Sequence, residues 1–248
     1  VLVFASLSAG LTLTVAQVSI LGGMILLAHS LPVEVSVASK AGVRVWFTLL
    51  LRIGGALLYG WLLFQLYSFT GWHSEEASVF FLEAPADPTL SEWVLAEVQR
   101  LFFVFVIILI LHLVLDILNW AGITSFLIRK TRHLLSAFGM TEKAGPLVVV
   151  GMLLGLLYGG GLILSEAKQH TIDYKEVFNA LTLLALLHGV IEDTAVMMLI
   201  GGSLSGLLWG RLVLTAVVAL LLVRIVLTMP EETFRRYLFV GVENDATK

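Results

Sequence analysis

The sequence predicts an all-α fold: a polytopic transmembrane helix bundle built from two internal repeats, with broken or re-entrant helices. Three observations predict it. The chain is 58% hydrophobic and 13% charged, with a mean hydropathy of +0.97, whereas an ordinary soluble domain carries about 25% charged residues. Its apolar runs reach the roughly 20 residues that cross a hydrocarbon core. One set of cap, histidine, acid and arginine residues also occurs twice at a single offset.

Six apolar segments follow in order, at about 14–30, 42–68, 100–122, 146–166, 174–200 and 206–228. The fifth is expected to break between Gly189 and Asp193. Residues 1–8 read as the end of an earlier span, so further sequence is expected upstream of Val1. The loop 69–98 is rich in Ser, Glu, Asp and Pro and holds no Lys or Arg, whereas 123–145 holds Arg129, Lys130, Arg132 and Lys143. The positive-inside rule then makes 123–145 cytoplasmic and 69–98 extracytoplasmic. Lys40, Arg44 and Arg211 fall inside as well, while Arg235 and Arg236 fall outside, against the rule. ITSFLIRKTRHLLSAF (123–138) sets apolar residues against a basic patch. It suits a helix lying on the cytoplasmic membrane face or a linker helix packed on the protein.

Sliding the chain on itself by 159 residues aligns His29 with His188, Glu34 with Asp193, Gly42 with Gly201 and Arg52 with Arg211. The same offset aligns TVAQ (14–17) with DYKE (173–176), each a capping box opening a helix. The chain therefore divides into a first repeat (1–68, its beginning expected upstream), an acidic loop (69–98), a second repeat (99–228) and a polar tail (229–248). Three segments separate the two histidine helices, so the repeats are expected to run parallel. A re-entrant segment among the three would make them inverted.

Three places pair histidine with acid inside apolar sequence: His29 with Glu34, His112 with Asp116 and Asn119, and His188 with Glu192 and Asp193. Ionisable groups at membrane depth are costly and face a cavity, a partner or a pathway. The i, i+4, i+7 spacing of His112, Asp116 and Asn119 puts them on one helix face. A His–carboxylate pair can load and release a proton near neutral pH. It can equally hold a divalent metal, for which His112, Asp116, His188 and Glu192 are the candidates. The bland alternatives are a buried His–Asp bond between helices and solvated turns at the membrane boundary. Arg52 and Arg211 are charge partners for Glu34 and Asp193, contacts for an anionic group, or snorkelling side chains. In GLLYGGGLILSE (155–166) the glycines serve close helix packing or unwind the helix at a binding site. GGSLSG (201–206) is a candidate re-entrant turn, and Glu166 an interfacial acid.

There is no cysteine, which excludes disulfides and thiol ligands. The net charge of −3 and the lack of a basic face leave nucleic acid aside as a partner. No activated nucleophile or phosphate loop is evident, so an enzyme is not expected. The expected partners are the lipid bilayer and a small solute or ion, and a homo-oligomer is allowed. No cofactor is called for beyond an optional divalent metal.

LTVAQVSILGGMILLAHSLPVEVSVASKAGVR, EKAGPLVVVGMLLGLLYGGGLI and LLHGVIEDTAVMMLIGGSLSG resemble bacterial membrane proteins of the nucleoside-recognition, or Gate, domain family. The resemblance covers most of the chain outside the acidic loop and the tail, and the histidine segments are its specific part. It implies two Gate-type halves with further membrane sequence upstream, in the cytoplasmic membrane. The family name implies nucleoside binding or transport, but no polar motif here matches a nucleoside-transporter site residue by residue. The expected function is therefore transport of a small polar, nucleoside-like solute or of an ion, proton-coupled through His29, Glu34, His112, Asp116, His188, Glu192 and Asp193. A divalent metal transporter using the same residues, and a non-transporting membrane scaffold or sensor, are the alternatives.

Overall fold

The computed structural model describes residues 13–78, 89–169 and 171–241. The span remnant read at 1–8 lies outside them. Their regular structure is helical, with two isolated bridge pairs, Thr14 with Glu76 and Val43 with Phe239. Four helical stretches are long and apolar enough to cross a membrane: Val15–Lys40, Val45–Thr70, Leu90–Trp120 and Ser205–Thr228.

The first repeat opens with α1 (Val15–Ala28), whose N-cap Thr14 and Gln17 form the expected capping box. The helix breaks at His29 and Ser30, where Ser30 takes a left-handed φ of 52°. Pro32 then sits in the first turn of α2 (Leu31–Lys40), where its missing N–H costs nothing. After a turn, α3 (Val45–Leu49) runs through a π-helical turn at Leu50–Gly54 into α4 (Gly55–Thr70). Next come α5 (Leu90–Trp120), the amphipathic α6 (Ile123–Ala137), and the short pair α7 (Ala144–Leu154) and α8 (Leu156–Lys168). The second repeat comprises α9 (Tyr174–Leu186), α10 (Glu192–Leu199) and a π-helical turn at Ser205–Gly210 that leads into α11 (Arg211–Thr228). Helix α12 (Glu231–Tyr237) ends the described chain.

The offset of 159 is written into the backbone. Thr14 and Asp173 cap the first helix of each repeat. Ser30 (φ 52°) matches Gly189 (φ 55°), and Gly42 (φ 97°) matches Gly201 (φ 92°). A π-helical turn precedes the last helix in both. One detail departs from the sequence expectation. Asp173 caps by accepting from the Lys175 N–H, but Glu176 turns away and accepts from the Thr141 N–H.

The repeats are inverted, not parallel. At one side of the bundle, the first N–H groups of α1 donate to the Glu75 and His73 carbonyls that follow α4, and Gly201 at the end of α10 lies against Ala77. At the other side, Gly42 and Arg44 after α2 pair with Val240 and Leu238, and Lys175 at the start of α9 reaches the Val226 carbonyl near the end of α11. Helix α1 thus enters from the acidic-loop side and α9 from the opposite, basic side. The segment read as one span at 146–166 is the reason. It is a hairpin broken at Gly155 (φ 93°). Its arms have 11 and 13 residues, about 16–20 Å each, too short to cross a core of about 30 Å. Both arms open on the basic side, where Lys143 and Thr141 meet Thr171 and Glu176. The arms touch backbone to backbone, since a Cβ on Gly159 would lie 2.3 Å from the Gly151 Cα.

This topology corrects two charge placements. Arg235 and Arg236 lie on the basic side, because Val43 pairs with Phe239 and Arg44 donates to the Arg235 carbonyl. Arg211 is not a loop charge but is buried at 1% exposure, at the start of α11. The α6 helix packs on α7, with Leu127, Leu134 and Leu135 bordering an apolar cavity of about 190 Å³ while Arg129 and Lys130 stay exposed. Of the two expectations for it, packing on the protein is met. At the centre lies α9, buried from Glu176 to Leu186. On the basic side, Phe47, Tyr174, Phe178, Phe234 and Phe239 form one aromatic cluster that holds the tail down.

Candidate functional site

A broken helix leaves its last carbonyls without backbone donors. At membrane depth those groups must be satisfied by the protein. Two buried arginines do this here. Arg52 donates to the His29 and Ala185 carbonyls, each at 2.7 Å, and to the carboxylate of Glu34. Arg211 donates to the Leu186 carbonyl at 3.0 Å and the His188 carbonyl at 2.8 Å. The bonds from Arg52 to His29 and from Arg211 to His188 are equivalent under the repeat. The charge pairing proposed from sequence is thus met for Arg52 with Glu34. Arg211 forms no ion pair with Asp193 among the described residues; its Nε and Nη2 are held by the Leu186 and His188 carbonyls, and its Nη1 has no hydrogen-bond partner there.

The two breaks face each other. The imidazole Nε2 atoms of His29 and His188 lie 3.4 Å apart, with ring centroids 5.0 Å apart. Each histidine reaches the acid of the other repeat. His188 Nε2 is 3.1 Å from Glu34 Oε1, and His29 Nε2 is 3.8 Å from Asp193 Oδ2. Such reciprocal exchange is what a two-fold relation imposes on a self-complementary contact. The opposite ring nitrogens lie beside carbonyls of their own helices: His29 Nδ1 is 3.2 Å from Leu26 O, and His188 Nδ1 is 2.8 Å from Leu184 O. A carbonyl can only accept, so these contacts are hydrogen bonds in the tautomers that carry hydrogen on Nδ1. In the neutral rings both Nε2 atoms then present lone pairs. Gly189 makes room for this arrangement, because a Cβ there would lie 2.4 Å from Asp193 Oδ2.

These groups line a cavity of about 310 Å³, together with Glu192, His112 and the tip of the re-entrant hairpin at Leu154, Gly155 and Tyr158. His112 Nδ1 lies 3.6 Å from Glu192 Oε1. Asp116 and Asn119 do not join it; both are exposed on α5. They share a face with His112, but four and seven residues along a helix are about 6 and 10 Å along its axis. Glu166 also lies outside the cavity and accepts from Thr171 near the basic side. The metal candidates of the sequence therefore split. Among the described residues, the group whose ligand atoms lie within 4.8 Å of one another is His29, His188 and Asp193.

Of the two readings of the glycine segment, unwinding at a binding site is met at Gly155, which lines the cavity at the turn of the hairpin, while Tyr158 beside it escaped sequence reasoning. In GGSLSG, Ser203 and Ser205 join a hydroxyl cluster with Ser19, Tyr67 and His73 on the acidic-loop side. Serines in an apolar chain carry no periodic signal that would reveal such convergence.

No family model matches the chain, and no solved structure matches it. A curated relative, an uncharacterized membrane protein of Bacillus subtilis named YvoD, is 29% identical over 202 residues, 77% of this chain and 62% of that protein. The chain thus spans about three fifths of the relative's length. This is a multi-pass membrane protein. Its four long apolar stretches and the membrane protein it resembles agree on that point.

Proposed function

We propose that the protein is a transporter of a small polar solute or ion, coupled to protons through the His–carboxylate pairs of the cavity. The observation that carries this is the reciprocal contact of His188 with Glu34 and His29 with Asp193 at the meeting point of two inverted repeats. Secondary transporters built from inverted repeats hold their substrate at such a junction, between discontinuous helices. The two halves are not in the same state. Glu34 is held by Arg52 and lies 3.1 Å from His188 Nε2, whereas Asp193 Oδ2 and Arg211 Nη1 have no hydrogen-bond partner among the described residues. Exchanging the conformations of the two repeats would pair Asp193 with Arg211 and release Glu34, which supplies the second state of an alternating cycle. The Gate-domain resemblance agrees with this architecture. The excess of Lys and Arg on the side of Lys40, Arg44, Arg129, Lys143 and Arg235 orients that side to the cytoplasm of a bacterial inner membrane.

The test is proton flux into liposomes holding the purified chain and a pH-sensitive dye, driven by a potassium diffusion potential. Wild type acidifies the lumen, and the folded His29→Gln/His188→Gln variant does so at least tenfold more slowly. Equal flux from the two proteins overturns proton coupling at this site.

A further inference from the structure

We infer that this cavity binds a divalent transition-metal ion of the zinc type through His29 Nε2, His188 Nε2 and Asp193 Oδ2, with one coordination position left open to the cavity. This rests on the reading of the cavity as a transport site and names the class of its cargo.

In the tautomers that carry hydrogen on Nδ1, both imidazoles commit their Nδ1–H to the carbonyls of Leu26 and Leu184. The Nε2 atoms that face each other at 3.4 Å are therefore acceptors, and so are the nearest oxygens of Glu34 and Asp193. In that state four acceptors converge where a donor is needed, and a bound metal ion, like a second proton on the imidazoles, supplies the missing positive charge. Ligating histidines commonly donate the other ring N–H to a backbone carbonyl, which fixes tautomer and ring orientation. Both histidines already carry that support.

Geometry and chemistry narrow the cation. Two nitrogens each about 2.0–2.1 Å from a tetrahedral metal lie about 3.4 Å apart, and the observed separation of the Nε2 atoms is 3.4 Å. Asp193 Oδ2 lies 3.8 Å from His29 Nε2, and all three ligand atoms lie within 4.8 Å of one another, so a shift of the carboxylate by about an ångström completes the set. That oxygen is buried and has no hydrogen-bond partner among the described residues. Glu34 is already tied to Arg52 and so serves better as a neighbour of His188 than as a full ligand. Two imidazoles and one carboxylate suit zinc, cobalt or ferrous iron, whereas magnesium and calcium require all-oxygen shells. Three protein ligands with an open fourth position hold an ion without closing its shell, as a site that must release its cargo requires.

The experiment uses the full chain in detergent micelles. Cobalt(II) is added while its visible absorption is recorded, and zinc alone is titrated calorimetrically. Wild type gives the intense visible bands of tetrahedral cobalt, which zinc displaces and magnesium does not. His29→Ala/His188→Ala loses the bands and weakens zinc binding at least 100-fold, while His73→Ala, outside the cavity, leaves both unchanged. Absence of tetrahedral bands in wild type, or zinc affinity unchanged in the folded double variant, overturns the metal site. Asp193→Asn provides a second arm, for which a tenfold or greater loss is expected and an unchanged affinity removes Asp193 as a ligand. The dye assay, run without metal and again with zinc outside the liposomes, reads the transport proposal separately. Proton flux without metal binding defeats only the metal site, and metal binding without proton flux defeats only proton coupling.

Discussion

At the scale of single residues, Arg52 shows why intramembrane charge is conditional. It is fully buried, yet it meets the carbonyls of two broken helices and the carboxylate of Glu34. Replacing one member of such a pair strands the other, at a cost of about 3–5 kcal/mol, whereas replacing both with neutral groups costs less. Arg52→Met should therefore lower the melting temperature in detergent more than Arg52→Met/Glu34→Gln does. A double variant at least as unstable as the single one would show that the carbonyl contacts dominate. Gly189 is a second case. Its left-handed φ of 55° penalises any side chain, by roughly 1–2 kcal/mol, and its Cα lies against Asp193. Gly189→Ala is expected to fold with a small loss of stability but to lose zinc affinity about tenfold or more, checked by the same titration.

At the scale of elements, the sequence revealed helix starts better than helix fates. Thr14 and Asp173 were legible as caps because capping is local chemistry between residues three apart. The break at His29 was legible through Pro32, and the break near Gly189 through the polar residues that follow. The hairpin of α7 and α8 was not legible. An apolar run of twenty residues looks the same whether it crosses the core or turns back halfway, since composition records depth but not direction. Only Gly155, with φ of 93°, and the contact of Gly151 with Gly159 decide it. Gly159→Leu should separate the arms and cost several kcal/mol by overpacking a backbone contact, seen as a lower melting temperature and loss of a monodisperse size-exclusion peak. Gly161 has open space around its Cα, so Gly161→Ala should leave both measurements unchanged.

At the scale of the whole molecule, that one hairpin sets the symmetry. Counting 146–166 as a full span gives parallel repeats; counting it as re-entrant inverts them and moves the tail to the other side. The chain lacks cysteine, so single-cysteine variants can be labelled cleanly. Gln169→Cys and Glu232→Cys are expected to react with an impermeant maleimide from the same side as Lys143→Cys and from the opposite side to Glu75→Cys. Labelling of Gln169→Cys together with Glu75→Cys would restore the parallel arrangement. Helix α5 also belongs to this scale. Among its 31 described residues only Arg100, Val104 and Leu115 are buried, and it meets the cavity through His112, so most of its surface is left uncovered by the described residues.

The sequence by itself determined that this is a helical membrane protein with an internal duplication, and it marked His29, Glu34, His188 and Asp193 as that duplication's polar core. Those facts follow from hydropathy and from the spacing of residues that apolar surroundings make costly. Tertiary structure decided the rest. It brought the histidines of the two repeats to 3.4 Å and crossed their acids between them. It also left Asp116 and Asn119 outside and spent Arg52 and Arg211 on helix ends. The physical reason is that a periodic pattern fixes the face of a helix, but only packing fixes the depth, direction and partner at which that face arrives.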